Sequence, residues 1–197
     1  MTRILLLRHG QSEWNALGRW QGQADPPLSD LGRKQAMYAS ERIGAVDAII
    51  ASDLQRASDT AFIIGEAIGT GPILTDERLR ERDAGEWSGL TRVEIDEAYP
   101  GYLAEGRRPA SVETDESVLA RVHAALADLH ARYEGADVLA VAHGGLVYAL
   151  EHEAGIGFER LPNLAGRWLT HDGSRLRVGD RVQLVDDDLI TTVPAQI

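Results

Sequence analysis

The chain has 197 residues, enough for one domain with a substantial core, and its 44% hydrophobic and 26% charged residues are typical of a globular protein. It contains no cysteine, which excludes disulfides, thiolate metal sites and cysteine nucleophiles. A formal net charge of -11 argues against binding to a nucleic-acid backbone or an anionic membrane, so we expect neither partner.

No stretch of the sequence has the length of a transmembrane helix. The N-terminal apolar run is too short for a signal peptide, because Arg8 ends it after four residues. We therefore expect a cytoplasmic protein. No repeat, low-complexity segment or linker divides the chain, and we expect a single domain over residues 1–197.

The N-terminal apolar run predicts a buried strand that ends in chemically active residues. Ile4 to Leu7 are typical of a parallel strand covered on both faces. In α/β proteins ligands bind just past the carboxyl end of such a strand, and Arg8, His9 and Gly10 follow there. A guanidinium suits phosphate, and an imidazole can be a nucleophile or a proton carrier. A histidine after a strand is more often structural, so the interpretation requires partners elsewhere in the chain.

A loop-like segment at 18–27 follows this strand. Its Arg19 and Gln21 either line the mouth of a site or lie in solvent. Ser29 or Asp30 then predicts the start of a helix, because either side chain can accept a hydrogen bond from the first helical turn.

Arg56 stands out in the next pair of elements. A buried strand is predicted at 47–51, and Ser52 or Asp53 can cap the helix that follows. Arg56 falls in the first turn of that helix, where a positive charge opposes the helix dipole. This is a hint that Arg56 holds an anion. The alternative is a surface arginine paired with Asp53 or Asp59.

The middle of the chain is irregular. A short strand is expected at 72–74, and the segment 79–89 is interpreted as a functional loop because it is too charged and glycine-rich for a helix core. Thr91 and Glu94 form the pattern of a capping box. The segment 101–113 either covers a site as a lid or simply connects two elements.

The second half of the chain repeats the pattern of the N-terminus. An amphipathic helix is predicted at 114–133, and its His123 and His130 are too far apart to share a metal ion comfortably, so we interpret both as surface or boundary residues. An apolar strand at 138–142 then ends in His143 followed by two glycines. Two such histidines at the ends of parallel strands can face each other.

The order of the elements predicts an α/β fold with a mostly parallel central sheet and helices on both faces. Two apolar stretches around a polar turn at 168–178 predict C-terminal hairpin-like strands, and the acidic tail after Asp186 is expected at the periphery. The sequence has no Gly-x-x-x-x-Gly-Lys loop, no His-Glu-x-x-His pattern and no convincing zinc spacing, and we expect no metal.

Several separate motifs together resemble the histidine phosphatase superfamily, in its phosphoglycerate-mutase-like group. The resemblance covers roughly three quarters of the chain, up to Tyr148. In chain order the motifs are Arg8-His9-Gly10, Asn15, Arg56 within Ser52-x-Leu54-x-Arg56-Ala57-x-x-Thr60-Ala61, Glu81 within Leu79-Arg80-Glu81, and His143-Gly144-Gly145.

The resemblance implies roles for these residues. His9 would attack phosphorus and form a phosphohistidine, for which its imidazole must be neutral. Glu81 would protonate the leaving oxygen and then take a proton from water. Charge on the phosphoryl oxygens would be stabilised by Arg8, Arg56, Asn15 and His143. Gln21 and Gly144 would lie in the substrate pocket, and no cofactor is implied.

The sequence favours a phosphatase within this superfamily. Mutases of the group carry a longer insertion than the short polar stretch at 99–114, and a shorter cover admits water to the phosphohistidine more readily. The pattern from Leu79 to Trp87 also resembles the phosphatase branch. Ser88 stands where many relatives have glutamate, and Asp115-Glu116-Ser117 replaces Gly-Glu-Ser, which leaves the substrate open.

We therefore expect a phosphomonoesterase that acts on small phosphorylated metabolites, such as phosphoglycerate derivatives or sugar phosphates. A cofactor-dependent phosphoglycerate mutase and a phospho-ligand binding module without catalysis are the alternatives. Arg19, Arg107 and Arg108 are candidates to recognise a second anionic group of the substrate. A homodimer is left open.

Overall fold

The structure, a computed structural model, describes residues 1–189. Within these residues six strands form one mixed sheet with the spatial order β3-β2-β4-β1-β5-β6. The strands are β1 (Thr2–Arg8), β2 (Ala48–Ala51), β3 (Leu74–Thr75), β4 (Asp137–Ala142), β5 (Ala165–His171) and β6 (Leu176–Gln183). The first four pair in parallel, and β5 and β6 add an antiparallel hairpin to the edge of β1. This arrangement confirms the predicted fold class.

Six α-helices connect or follow the strands in the described part of the chain. They are α1 (Glu13–Ala16), α2 (Asp30–Ser40), α3 (Gln55–Ile68), α4 (Arg92–Ala98), α5 (Asp115–Arg132) and α6 (Gly144–Glu153). Short 3-10 turns lie at Glu77–Leu79, Gly85–Trp87 and Asp187–Leu189. Between residues 1 and 189, no helix combines the length and the apolar character needed to cross a bilayer.

The side chains of β1 alternate between two hydrophobic cores. Ile4 and Leu6 pack with α5 and α6 on one face of the sheet. Leu5 and Leu7 pack with α2 and α3 on the other face. Because both faces are covered, every one of these four positions is apolar, and the strand reads as a continuous hydrophobic run.

A smaller third core is formed by the chain segment that connects β3 to α5. Its buried members are Ala84, Trp87, Ile95 and Val112. Trp87 is fully buried and packs edge-to-face on Trp20, with 5.1 Å between the ring centroids. We call residues 77–114 the cover. This segment is packed on its own apolar centre, so it is more than a plain connector between two elements.

The start of α3 differs from the prediction. Its N-cap position is Leu54, which has no side-chain cap, and neither Ser52 nor Asp53 takes that role. Instead the Oδ1 atom of Asp25 accepts a hydrogen bond from the backbone N–H of Gln55 at 2.7 Å. The prediction was wrong because the group that satisfies the helix end comes from a distant loop.

The other helix starts follow the sequence signals. Ser29 caps α2, and Thr91 with Glu94 forms the predicted capping box of α4. The strand expected at 72–74 is shifted and covers Leu74–Thr75.

The two histidines of α5 have different surroundings. His123 is partly exposed and contacts the Glu153 carboxylate at 2.7 Å, as expected for a surface or boundary residue. His130 is 9% exposed and lies at the boundary of the core, where its Nδ1 atom hydrogen-bonds with the hydroxyl of Thr2 at 2.9 Å. In the acidic tail, Asp186 pairs with Arg42, and residues 190–197 lie outside the described residues.

Candidate active site

A cavity of about 200 Å³ opens at the carboxyl ends of β1 and β4. Its wall contains most of the residues predicted for the site, namely Arg8, His9, Asn15, Gln21, Arg56, Glu81, Arg108 and Gly144. The remaining predicted residue, His143, is not part of the wall. Its ring lies next to that of His9, with 5.1 Å between the centroids and an angle of 64° between the planes. Motifs far apart in the sequence therefore meet at one edge of the sheet.

The His9 imidazole is held in one tautomer. Its Nδ1 atom lies 2.6 Å from the carbonyl oxygen of Gly10, and because a carbonyl only accepts, Nδ1 carries the proton. Nε2 therefore keeps its lone pair, and it accepts a hydrogen bond from Arg56 Nε at 3.2 Å. Burial, followed by the charges of Arg56 and Arg8, holds the pKa of His9 well below its usual range. The ring is neutral and its nucleophilic nitrogen faces a guanidinium.

Two arginines beside His9 keep their charge without a carboxylate partner. Arg56 is fully buried and donates to the carbonyl oxygens of Ala24 and Gly22 at 2.7 and 2.8 Å. Arg8 donates to the carbonyl oxygen of Leu161 at 2.5 Å. Burial lowers the pKa of Arg56 to about 10, so the group is still protonated at neutral pH. Neither guanidinium forms an ion pair with a carboxylate among the described residues.

This geometry decides between the two interpretations of Arg56. The suggested acidic partners bind other arginines: Asp53 pairs with Arg80, and Asp59 pairs with Arg33. The interpretation of Arg56 as a paired surface arginine is therefore wrong. A buried charge without compensation is costly, and an anionic ligand between Arg8 and Arg56 would remove that cost.

The ring nitrogens of the second histidine are also available to a polar ligand. His143 is fully buried, and neither of its ring nitrogens has a hydrogen-bond partner among residues 1–189. Burial, together with the charge of Arg56, holds the pKa of His143 well below its usual range, so this ring is neutral as well. Buried polar atoms without a partner are rare in proteins and typically mark a ligand or water position.

The Glu81 carboxylate is fixed on the cavity wall by two backbone donors. Its Oε1 atom accepts from the N–H of Arg82 at 2.7 Å, and its Oε2 atom accepts from the N–H of Gly145 at 3.1 Å. Gly145 lies in the first turn of α6, so the carboxylate bridges the cover and the N-terminus of that helix. A side chain at this position would displace the carboxylate, because a Cβ atom on Gly145 would lie 2.1 Å from Oε1.

Hydrogen bonds link the polar residues between α1 and the cavity. Asn15 Oδ1 accepts from the N–H of Ser12 at 3.1 Å, and Gln21 Oε1 accepts from the Ser12 hydroxyl at 2.6 Å. The side chain of Asn163 donates to Asn15 Oδ1 and to the carbonyl oxygen of His9. Asn163 was missed by the sequence reasoning, because it follows no motif and reaches the site only through the path of its loop.

A second basic group lies on the same wall. Arg82 and Arg108 both line the cavity, and Arg19 lies on it while paired with Glu94 at 3.2 Å. Arg107 is not part of the wall: it pairs with Glu105 at the surface. Of the three arginines suggested for a second anionic group, Arg107 is therefore away from the cavity. Arg82 could have been suggested from its position next to Glu81.

The cavity also has an apolar side. Tyr148 and Phe158 line it with their rings 5.1 Å apart, and Phe158 is 68% exposed. The hydroxyl of Tyr148 accepts from the N–H of Leu161 at 2.8 Å, which fixes this ring. In the described part of the chain, no three histidine, aspartate or glutamate side chains come together as a metal site.

Comparisons with known proteins place the chain in a family. Residues 4–178 match the model of the histidine phosphatase superfamily (branch 1). A glucosyl-3-phosphoglycerate phosphatase from Mycolicibacterium vanbaalenii is 40% identical over 181 residues, which are 84% of this chain and 80% of that protein. A metal-independent phosphoserine phosphatase from Arabidopsis thaliana is 34% identical over 160 residues, 76% of this chain and 67% of that protein.

Solved structures show the same similarity. The mycobacterial glucosyl-3-phosphoglycerate phosphatase complexed with VO3 superposes with a TM-score of 0.81 at 35% sequence identity. The superposition covers 89% of this chain and 96% of that one.

Proposed function

The chain belongs to the histidine phosphatase superfamily, and on that premise we propose that it is a phosphomonoesterase that hydrolyses small phosphorylated metabolites through a phosphohistidine at His9. The observation that carries the proposal is the pair of arginines, Arg8 and Arg56, which lack a carboxylate partner beside a neutral imidazole. A phosphoryl group is the ligand whose charge and oxygen geometry suit such donors.

The reaction has two steps. In the first, the Nε2 lone pair of His9 forms a bond to phosphorus while the bond from phosphorus to the leaving oxygen breaks, and Glu81 gives its proton to that oxygen. In the second, water attacks the phosphohistidine, the nitrogen–phosphorus bond breaks, and Glu81 takes the proton of the water. Arg8, Arg56 and His143 stabilise the charge on the phosphoryl oxygens in both steps.

The proposal is tested by trapping the phosphoenzyme. Rapid alkaline quench of the wild type with labelled substrate should give a phosphorylated chain that is stable in alkali and loses its label on later treatment with acid. The His9→Ala variant should give no phosphoenzyme and at least about 1000-fold slower turnover, the scale expected when a nucleophile is removed. His123→Ala, at the surface of α5, is the matched control and should behave as the wild type. Unchanged hydrolysis by His9→Ala would overturn the proposal.

A pair of substrates tests the role of Glu81. The leaving group of p-nitrophenyl phosphate is stable as an anion, whereas the alkoxide of an alkyl phosphate must be protonated as it leaves. Glu81→Gln should therefore lower kcat/KM for an alkyl phosphate by about 100-fold or more, and for the aryl phosphate much less. Equal losses for both substrates would exclude Glu81 as the acid.

For the substrate, we propose a phosphate ester that carries a second acidic group and a sugar. The acidic group is suggested by Arg82 and Arg108, and the sugar by the rings of Tyr148 and Phe158, against which the C–H face of a pyranose can pack. The similarity to glucosyl-3-phosphoglycerate phosphatases supports the same class. Arg108→Glu should raise KM for 3-phosphoglycerate derivatives by about tenfold and leave KM for p-nitrophenyl phosphate nearly unchanged.

The same purified protein distinguishes hydrolysis from mutase activity. Phosphate release and the interconversion of 2- and 3-phosphoglycerate, with a bisphosphorylated primer present, are measured side by side. The short segment at 101–113 favours hydrolysis, because a longer insertion would shield the phosphohistidine from water.

We also propose a cytoplasmic location, where small phosphorylated metabolites are available, and cell fractionation tests it.

A further inference from the structure

One carboxylate lies between two arginines of the cavity wall. Asp115 is the first residue of α5, and its Oδ1 atom lies 2.5 Å from Arg82 Nη2 and 3.1 Å from Arg108 Nη1. Burial alone would raise the pKa of Asp115, but the charges of Arg82 and Arg108 hold it below its ordinary value. The carboxylate is therefore ionised at neutral pH, and one oxygen atom serves both guanidinium groups.

The two arginines differ in how firmly they are held. The side chain of Arg82 is 12% exposed, and its Nη1 atom also donates to the carbonyl oxygen of Glu113 at 2.8 Å. The side chains of Arg108 and Asp115 are 40% and 47% exposed. An ion pair between side chains as exposed as Arg108 and Asp115 is weak, so a ligand can replace Asp115 while Arg82 keeps its hydrogen bond to the carbonyl oxygen of Glu113.

The arginines around the cavity therefore form two groups, which differ in whether they have a carboxylate partner. Arg8 and Arg56 have no carboxylate partner among the described residues, whereas Arg82 and Arg108 share one. A substrate carboxylate that reached Arg82 and Arg108 would need the donors that Asp115 occupies, and the two negative groups would repel each other. An uncharged part of a substrate would meet no such competition.

We propose that Asp115 is a specificity-determining residue, an internal carboxylate that competes with the second acidic group of the substrate for Arg82 and Arg108. It lowers the affinity for acidic phosphate esters and leaves the affinity for neutral ones unchanged. The inference rests on the proposed function for its effect on turnover, but its effect on binding can be measured without catalysis.

The test compares Asp115→Asn with Asp128→Asn, both in a His9→Ala background that cannot turn substrate over. Asp128 lies on the same helix, is exposed, pairs with Arg78 at 2.7 Å and does not line the cavity, so its variant loses the same charge elsewhere. Calorimetry gives Kd for 3-phosphoglycerate, which has a second acidic group, and for phenyl phosphate, which has none.

Asp115→Asn should bind 3-phosphoglycerate about fivefold more tightly, the scale of one exposed ion pair, with no change for phenyl phosphate. Asp128→Asn should change neither value. In Asp115→Asn combined with Arg108→Gln, the gain should disappear, which separates competition for the arginines from a general effect of charge.

An equal gain for both ligands, no gain, weaker binding of 3-phosphoglycerate, or no binding of 3-phosphoglycerate to any variant would each overturn the proposal. Failure of the proposed function gives a different result. In that case the wild type would hydrolyse neither compound, while the ratio of the Kd values would still report on Asp115.

Discussion

Replacing Gly145 by alanine should displace Glu81 without harming the fold. The added Cβ atom would lie 2.1 Å from Glu81 Oε1 and 3.0 Å from its Cδ atom. Ordinary contact begins near 3.4 Å, so the carboxylate has to move by about 1 Å, and it loses its hydrogen bond from Gly145 N–H. The obstacle is the far end of a flexible side chain, and alanine is favourable by up to about 1 kcal/mol in a helix, so the protein should remain folded.

A misplacement of about 1 Å in a catalytic group costs on the order of 100-fold in rate, or about 2.7 kcal/mol of transition-state stabilisation. We therefore expect Gly145→Ala to lower kcat/KM for an alkyl phosphate by roughly 100-fold and for p-nitrophenyl phosphate by much less. Gly157→Ala is the reference, since no atom lies within 4 Å of its added Cβ. Circular dichroism and thermal unfolding check the fold. If Gly145→Ala turns over alkyl phosphates at the wild-type rate, the position of Glu81 does not matter and its role as the acid is refuted.

Two further predictions concern stability. His9 and His143 have pKa values well below 6.5 in the folded chain, so below pH 6.5 the unfolded chain binds protons that the folded chain does not. As the pH is lowered, the free energy of unfolding should then fall by up to about 2.7 kcal/mol per pH unit, about 1.4 kcal/mol for each imidazole. Urea titrations between pH 7.5 and 5.5 measure this slope. A slope for the wild type no steeper than that of His143→Gln would contradict the prediction. Glu151 is buried and bridges Arg167 and Arg181 at 2.8 and 2.6 Å. Glu151→Gln leaves Arg167 without a carboxylate partner among the described residues and Arg181 with the exposed Glu159 alone. It should lower the free energy of unfolding by about 3 kcal/mol, whereas an unchanged urea midpoint would show that solvent and Glu159 compensate the two charges.

The meeting of His9 and His143 was predictable because it depends on topology alone. Parallel strands end at the same edge of a sheet, so two strands that each end in histidine and glycine bring these residues together when they are neighbours. Here β1 and β4 are neighbours, with Arg8 opposite Ala142. The position of Arg56 against the helix dipole was likewise a local signal, and the structure shows a buried guanidinium there.

Contacts between loops were not predictable from the sequence. The cap of α3 by Asp25 and the bonds of Asn163 to His9 and Asn15 depend on where distant segments pass, and no periodicity or spacing records that path. The sharing of Asp115 between two arginines is of the same kind. Residues near the strand ends can therefore be inferred from pattern, whereas the residues that orient them require coordinates.

The packing of Trp20 on Trp87 gives the protein an intrinsic optical probe. Trp20 lies on the cavity wall, and Trp14 lies beside Gly89 in the cover, so three of the four tryptophans of the chain surround this region. Trp168 lies apart, on β5 under the guanidinium of Arg3. A ligand that enters the cavity should shift or quench the fluorescence emission of Trp20, so that binding can be titrated without a label, and Trp20→Phe should remove the signal.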